Sequence, residues 1–249
     1  MSFGRGIGII AVTAALGTQP AFAAHPLVTE DTATQGVGNV ELENGFSGVR
    51  SGSFWVFEYQ PQISYGLLTA LDVIVQPSWF VEHITPGPTI DGSGDTNFDV
   101  KWRFFGAAPW SLAIRAGITA ATNQRGLGLP DGKTSEHALL VLTYDESPLA
   151  VHLNGGLIVN PYGAGLKRNL GHFSTAVMWN VNAALILTSE VAVETNPDPL
   201  RSSWGGSVLA GAVYTVRPGL DLDLGYQVGI NAAVPAQTWL GGITYRFAL

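Results

Sequence analysis

The sequence predicts an all-β protein, a transmembrane antiparallel up-and-down β-barrel of about twelve strands. Three observations carry this expectation. Apolar and polar residues alternate with a period of two in segment after segment, the mark of strands with two unlike faces. Only 12% of the 249 residues are charged, roughly half the ~25% of an ordinary soluble domain, although 46% are hydrophobic. Many of the aromatic side chains gather at the two ends of the alternating segments.

The composition narrows the function classes. There is no cysteine, which excludes disulfide scaffolds, thiolate zinc sites and thiol catalysis. A net charge of −7 argues against a basic nucleic-acid surface, so no nucleic-acid partner is expected. Seven Trp, seven Tyr and eleven Phe need something to pack against, which argues against disorder.

The chain opens with an address. Arg5 is the only charge before Glu30, the run Ile7–Leu16 is apolar, and Ala21-Phe22-Ala23 is a small-residue cleavage site. Residues 1–23 therefore read as a cleaved signal peptide, the run being too short to span ~30 Å of hydrocarbon. Residues 24–37 precede the first alternating segment. They are expected to lie at the periplasmic end, either folded into the lumen as a plug with His25, Glu30 and Asp31 as its polar contacts or as a disordered leader. No later stretch reaches 18 uninterrupted apolar residues, so no transmembrane helix is expected.

Residues 38–249 form the barrel, with strands expected at 38–48, 53–65, 70–81, 95–105, 110–121, 136–144, 148–159, 172–180, 184–194, 204–215, 219–229 and 237–248. In Asn97–Phe104 one face reads Asn97, Asp99, Lys101, Arg103 and the other Phe98, Val100, Trp102, Phe104. Leu220–Ile230 repeats the pattern with Asp221, Asp223 and Gln227 against Leu222, Leu224 and Tyr226.

The connections alternate in length. Gly106–Pro109, Asp145–Pro148 and Arg217–Gly219 are tight turns, whereas Glu82–Gly94, Thr122–Ser135, Asn160–Gly171 and Thr195–Ser203 are long; Val49–Gly52 is a short exception. Short turns at one end and long loops at the other are the layout of bacterial outer-membrane barrels, and an even strand count puts both termini at the periplasmic end. Tyr65, Phe104, Trp110, Tyr144, Trp179, Tyr214, Tyr245 and Phe247 would form a turn-end girdle, and Trp55, Trp79, Phe173, Trp204 and Trp239 a loop-end girdle. The last strand ends on an aromatic, Phe247, as in barrels handled by the insertion machinery, although Ala248 and Leu249 follow it. Closure is required because no backbone edge is left unpaired in lipid.

With the apolar faces toward outer-membrane lipid, the other faces line the lumen. They bring inside Glu58, Asp72, Asp99, Lys101, Arg103, Arg115, His137, His152, Glu190, Glu194, Asp221, Asp223 and Arg246, together with Glu41, Glu43, Gln62 and Asn154. Such a set is either a rigid network of paired charges or a solute-selecting lining, and the two are compatible. Twelve strands enclose a lumen between the filled eight-stranded case and a porin channel, which is why a plug is expected.

Two motifs invite a chemical reading. His172-x-Ser174 with Asn180 and Asn182 downstream resembles the His–Ser pair of the outer-membrane phospholipases A, but the strand phase turns His172 and Ser174 inward, away from lipid. Asp91-Gly-Ser-Gly-Asp95-Thr-Asn97-Phe-Asp99 spaces oxygens as calcium loops do but lacks their closing Glu, so it reads as an external loop. No enzyme, cofactor or metal is expected.

The segment Ala24-His-Pro-Leu-Val-Thr-Glu-Asp-Thr-Ala-Thr-Gln-Gly36 and its continuation to Glu43 resemble the start of a family of exported bacterial proteins, the outer-membrane transporters of the meta-pathway of phenol degradation. The resemblance implies a barrel linked to uptake of aromatic or other small organic molecules. The expected function is thus a monomeric outer-membrane channel for passive diffusion of such solutes, anions included, with Lys101, Arg103, Arg115 and Arg246 attracting them. A structural or adhesive barrel acting through its external loops is the alternative, and a lipid-modifying enzyme a third.

Overall fold

In the computed structural model, residues 25–84, 87–122 and 133–249 are described. The expected signal peptide, Ala24 and most of the Thr122–Ser135 loop lie outside them. The strands are β1 (Asn39–Ser51), β2 (Phe54–Leu68), β3 (Leu71–Gln76), β4 (Trp79–Ile84), β5 (Thr89–Ser93), β6 (Thr96–Ala107), β7 (Trp110–Ala120), β8 (Ser135–Glu146), β9 (Leu149–Val159), β10 (Asn169–Asn182), β11 (Leu185–Thr195), β12 (Trp204–Arg217), β13 (Leu220–Gly229) and β14 (Gln237–Ala248).

Each strand pairs antiparallel with its neighbours, and β1 pairs with β14 from Asn39↔Ala248 to Arg50↔Gln237, which closes the sheet. The fourteen segments make twelve barrel strands. β3 and β4 lie end to end along β2, with Ile63↔Val75 on one side of a break and Tyr59↔Trp79 on the other. β5 and β6 likewise pair with β4 and β3. Both breaks fall at one level, at Pro77-Ser78 and Gly94-Asp95. There Gly94 N–H donates to the Ser78 carbonyl at 2.9 Å and Ser78 Oγ donates to the Asp95 carbonyl at 3.2 Å. Pro77 has no N–H to give to the ladder, and prolines are tolerated in sheets at such interruptions.

The long loop expected over Glu82–Gly94 is therefore corrected: β4 and β5 carry strand structure into it, and Asp91 lies in β5. Its density of Pro and Gly signalled a loop, but pairing with β2 from Phe54↔Ile84 to Tyr59↔Trp79 holds Trp79–Ile84 in the sheet.

The fold is inverted relative to a water-soluble protein. Trp102, Val100, Phe98, Leu153, Leu157, Leu222 and Leu224 face outward and are exposed, while Asp99, Lys101, Arg115, His137, Asn154, Glu190 and Asp223 are buried inside. An apolar belt of that extent is stable only against lipid. The girdles show as ring pairs: Trp55 with Trp239 at 5.6 Å and Phe173 with Trp204 at 6.2 Å at the loop end, and Trp110 with Tyr144 at 4.8 Å at the turn end.

Candidate functional site

The lumen is built by alternation. On β6 it turns Asp99 and Lys101 inward, on β7 Arg115, on β2 Gln62, on β8 His137, on β9 His152 and Asn154, on β11 Glu190, and on β13 Asp221 and Asp223; all of these are buried. Residues 25–38 run across this interior as a coil. His25 Nδ1 bonds the Asp223 carboxylate. Leu27 is 2% exposed and packs with Ala176 and Leu209. The Val28 and Thr29 amides donate to Glu190 Oε2 at 2.8 and 2.6 Å. Asn154 bonds both backbone groups of Glu30, accepting from its N–H at 2.6 Å and donating to its carbonyl at 2.9 Å. Farther along, Thr32 N–H donates to Thr143 Oγ1 at 3.2 Å, and Gln35 N–H donates to Asp72 Oδ2 at 3.0 Å. The coil thus touches walls on opposite sides, and its own unpaired backbone groups are satisfied by wall side chains.

The centre of the site is the Glu30 carboxylate. It accepts from Lys101 Nζ at 2.8 Å and from Arg115 Nη1 at 2.7 Å, and Lys101 also reaches Asp31 at 3.1 Å. Arg115, with no exposed side-chain surface, further binds Asp99 Oδ2 at 2.7 Å and Gln62 Oε1 at 3.0 Å. His137 Nε2 contacts the other Asp99 oxygen at 2.6 Å. Glu30 belongs to the coil and not to a membrane-crossing strand. Burial alone would raise its carboxyl, but the charges and hydrogen bonds of Lys101 and Arg115 outweigh that and hold it down, at about 2 against an ordinary 4.5.

The remaining lumen residues stand apart. Asp72 takes the Gln35 amide; Arg246, half-exposed at the rim that carries the termini, bridges Glu41 and Asp221. Glu58 accepts from Gln60 at 2.7 Å, and His152 Nδ1 meets Thr143 Oγ1 at 2.9 Å. Arg103 and Glu194 are half-buried, and His172 Nε2 lies 3.1 Å from Ser174 Oγ on the inner wall. Among the described residues no three His, Asp or Glu side chains converge as metal ligands. Leu27, Thr29, Thr32 and Gln35 were not singled out in the sequence, since a coil has no period to mark its contacts.

A glycine makes room for the coil where it meets the wall. Gly38 N–H donates to the Gly66 carbonyl at 2.9 Å, and a Cβ on Gly66 would stand 1.7 Å from the Gly36 carbonyl oxygen. Gly66→Ala is expected to unseat residues 25–38 while the barrel stays closed. Limited proteolysis of that segment, with heat-modifiable gel migration for the barrel, checks this.

No protein-family model matches the chain, and no curated protein matches it in sequence. Solved structures are similar in fold. An outer membrane channel from Pseudomonas putida F1 aligns at 12% identity and TM-score 0.66 over 87% of this chain and 98% of that one. The KdgM porin aligns at 8% identity and 0.56 over 84% and 99%. The CymD monoaromatic hydrocarbon channel aligns at 10% and 0.53 over 87% and 90%. The closed twelve-stranded barrel of this chain, with its apolar exterior and polar interior, is similar in fold to these outer-membrane proteins and places the chain in the bacterial outer membrane.

Proposed function

We propose that the barrel is a passive channel for small organic solutes, aromatic compounds among them, and that residues 25–38 close it from the periplasmic side. The observation that carries this reading is the coil itself. It is held by side chains from many strands, yet its joints are hydrogen bonds and ion pairs that water can replace once it moves. A permanently filled barrel would be expected to use apolar packing throughout, and here Leu27 is the coil's main apolar anchor. Support for the solute class comes from the likeness to channels, one of them for monoaromatic hydrocarbons, and from the resemblance of residues 24–43 to the phenol-pathway transporters. Lys101, Arg115 and Arg246 are committed to carboxylates, and when Glu30 and Asp31 leave an anion meets Lys101 and the freed Nη1 of Arg115, whose pairing with Asp99 on the wall stays in place.

The test is flux. Proteoliposomes with the full chain should admit a small aromatic alcohol faster than a disaccharide, and a chain lacking residues 25–37 should admit both. No flux and no bilayer conductance from either form would overturn the channel reading in favour of a structural barrel.

A further inference from the structure

The outer wall carries a feature that solute passage does not use. Strand register aligns outward residues in three rows across β14, β1, β2, β4 and β5. The outermost row is Gln237, Arg50, Trp55, His83 and Thr89. The next runs Trp239, Gly48, Phe57, Val81 and Asp91, and the third Gly241, Phe46, Tyr59, Trp79 and Ser93. Gly48 and Gly241 lower this wall of rings: the Phe57 ring leans in to 3.4 Å of where a Gly48 Cβ would stand, and Leu224 to 3.4 Å of that of Gly241. The result is a groove of about 380 Å³ lined by Phe46, Gly48, Trp55, Phe57, Trp239 and Gly241.

The groove is apolar along its length and cationic at its outer end. Trp55 stacks on Trp239 at 5.6 Å, and Phe46 on Tyr59 at 4.9 Å. The Arg50 guanidinium sits over Trp55, 5.2 Å from the ring centroid, which fixes it at the groove mouth. Arg50 is exposed and has no ion pair among the described residues. Asp91, the outward carboxylate on these rows, is three strands away, about 14 Å at the usual strand spacing, and has an interaction of its own. The turn after Arg50 lies at the end opposite the termini, so the mouth opens at the external leaflet.

We infer that this groove binds lipid A of the external leaflet, one acyl chain lying over Gly48 and Gly241 and one phosphate on Arg50. The chemistry fits at both ends. A chain of methylenes fills a slot that rigid rings cannot close, and a guanidinium exposed at headgroup depth pairs with phosphate through its planar fork. The mode of binding is independent of whether the lumen conducts.

Refolded full-length protein in detergent would be titrated with diphosphoryl lipid A, dephosphorylated lipid A and phosphatidylethanolamine, with bound lipid counted by native mass spectrometry. Lipid A should be retained at one per chain in preference to both others. Arg50→Gln should weaken it roughly tenfold, the scale of one charge-assisted contact. Gly48→Leu and Gly241→Leu should remove it; if either fails to fold by heat-modifiable migration, Arg50→Gln at its exposed site still decides. Equal retention of lipid A and phosphatidylethanolamine, or retention indifferent to Arg50, would overturn the proposal. So would a two-chain complex that Gly48→Leu breaks, since a second copy would then be the occupant.

Discussion

Glu30→Gln combined with Asp31→Asn is expected to raise the open-to-closed ratio of the barrel by roughly 30- to 140-fold. The reason is local. Lys101 and Arg115 hold the Glu30 carboxylate at 2.8 and 2.7 Å in a buried site, and Lys101 also holds Asp31 at 3.1 Å. Removing one side of a buried pair costs about 3–5 kcal/mol. Water reaches Lys101 and Arg115 once the coil leaves, which returns part of that, so about 2–3 kcal/mol of the docking energy is lost, at 1.4 kcal/mol per factor of ten. Single-channel open probability in a planar bilayer reads the ratio directly. Unchanged open probability would mean that these ion pairs do not hold the coil.

A pH dependence of known sign follows from the same carboxylate. Its pKa is depressed in the docked state, from 4.5 to about 2, so its contribution to docking is complete above 4.5 and is lost as pH falls toward 2. The full chain should therefore open on acidification across that window. A Glu30→Gln single variant lacks this component, and the difference between its profile and that of the full chain isolates Glu30 from the other carboxylates.

The barrel was legible because lipid enforces it. In Asn97–Phe104 each slip of one residue would put Asp99 and Lys101 into hydrocarbon, so the alternation states both the strand and its facing. The break in β3/β4 was not legible. Pro77, Pro86 and Pro88 speak for a loop, and only the pairing of Trp55 with His83 and its neighbours, which is long-range, keeps that stretch in the sheet. The site divides in the same way. Period two brings Arg115 and Asp99 to the inner face, but nothing local says that Arg115 meets Glu30, 85 residues away, or Gln62, 53 residues away. Barrel curvature and the path of the coil decide those meetings, and neither is written in any window of sequence.

Arg115→Ala is the substitution expected to cost the barrel most. Arg115 joins four parts of the molecule: Glu30 on the coil, Gln62 on β2, Asp99 on β6 and its own strand β7. Without it, Asp99 keeps only His137, and Gln62 Oε1 and one Glu30 oxygen lose their donor in a site with no exposed surface at Arg115. The expected loss is about 3–5 kcal/mol, read as a lower urea midpoint for the folding equilibrium in detergent. Arg115→Lys should recover only part of it, since an ammonium keeps the charge but cannot bind three partners through a planar fork. Adding Asp99→Asn to Arg115→Ala should recover part of the loss, because the uncompensated charge at Asp99 disappears while Glu30 and Gln62 still lack their donor; the coupling between the two sites is then far from additive. In a chain lacking residues 25–37 the cost of Arg115→Ala should fall, as water enters where Glu30 lay. An undiminished cost there would mean that Arg115 serves the wall alone, and that the coil borrows a cation the barrel needs in any case.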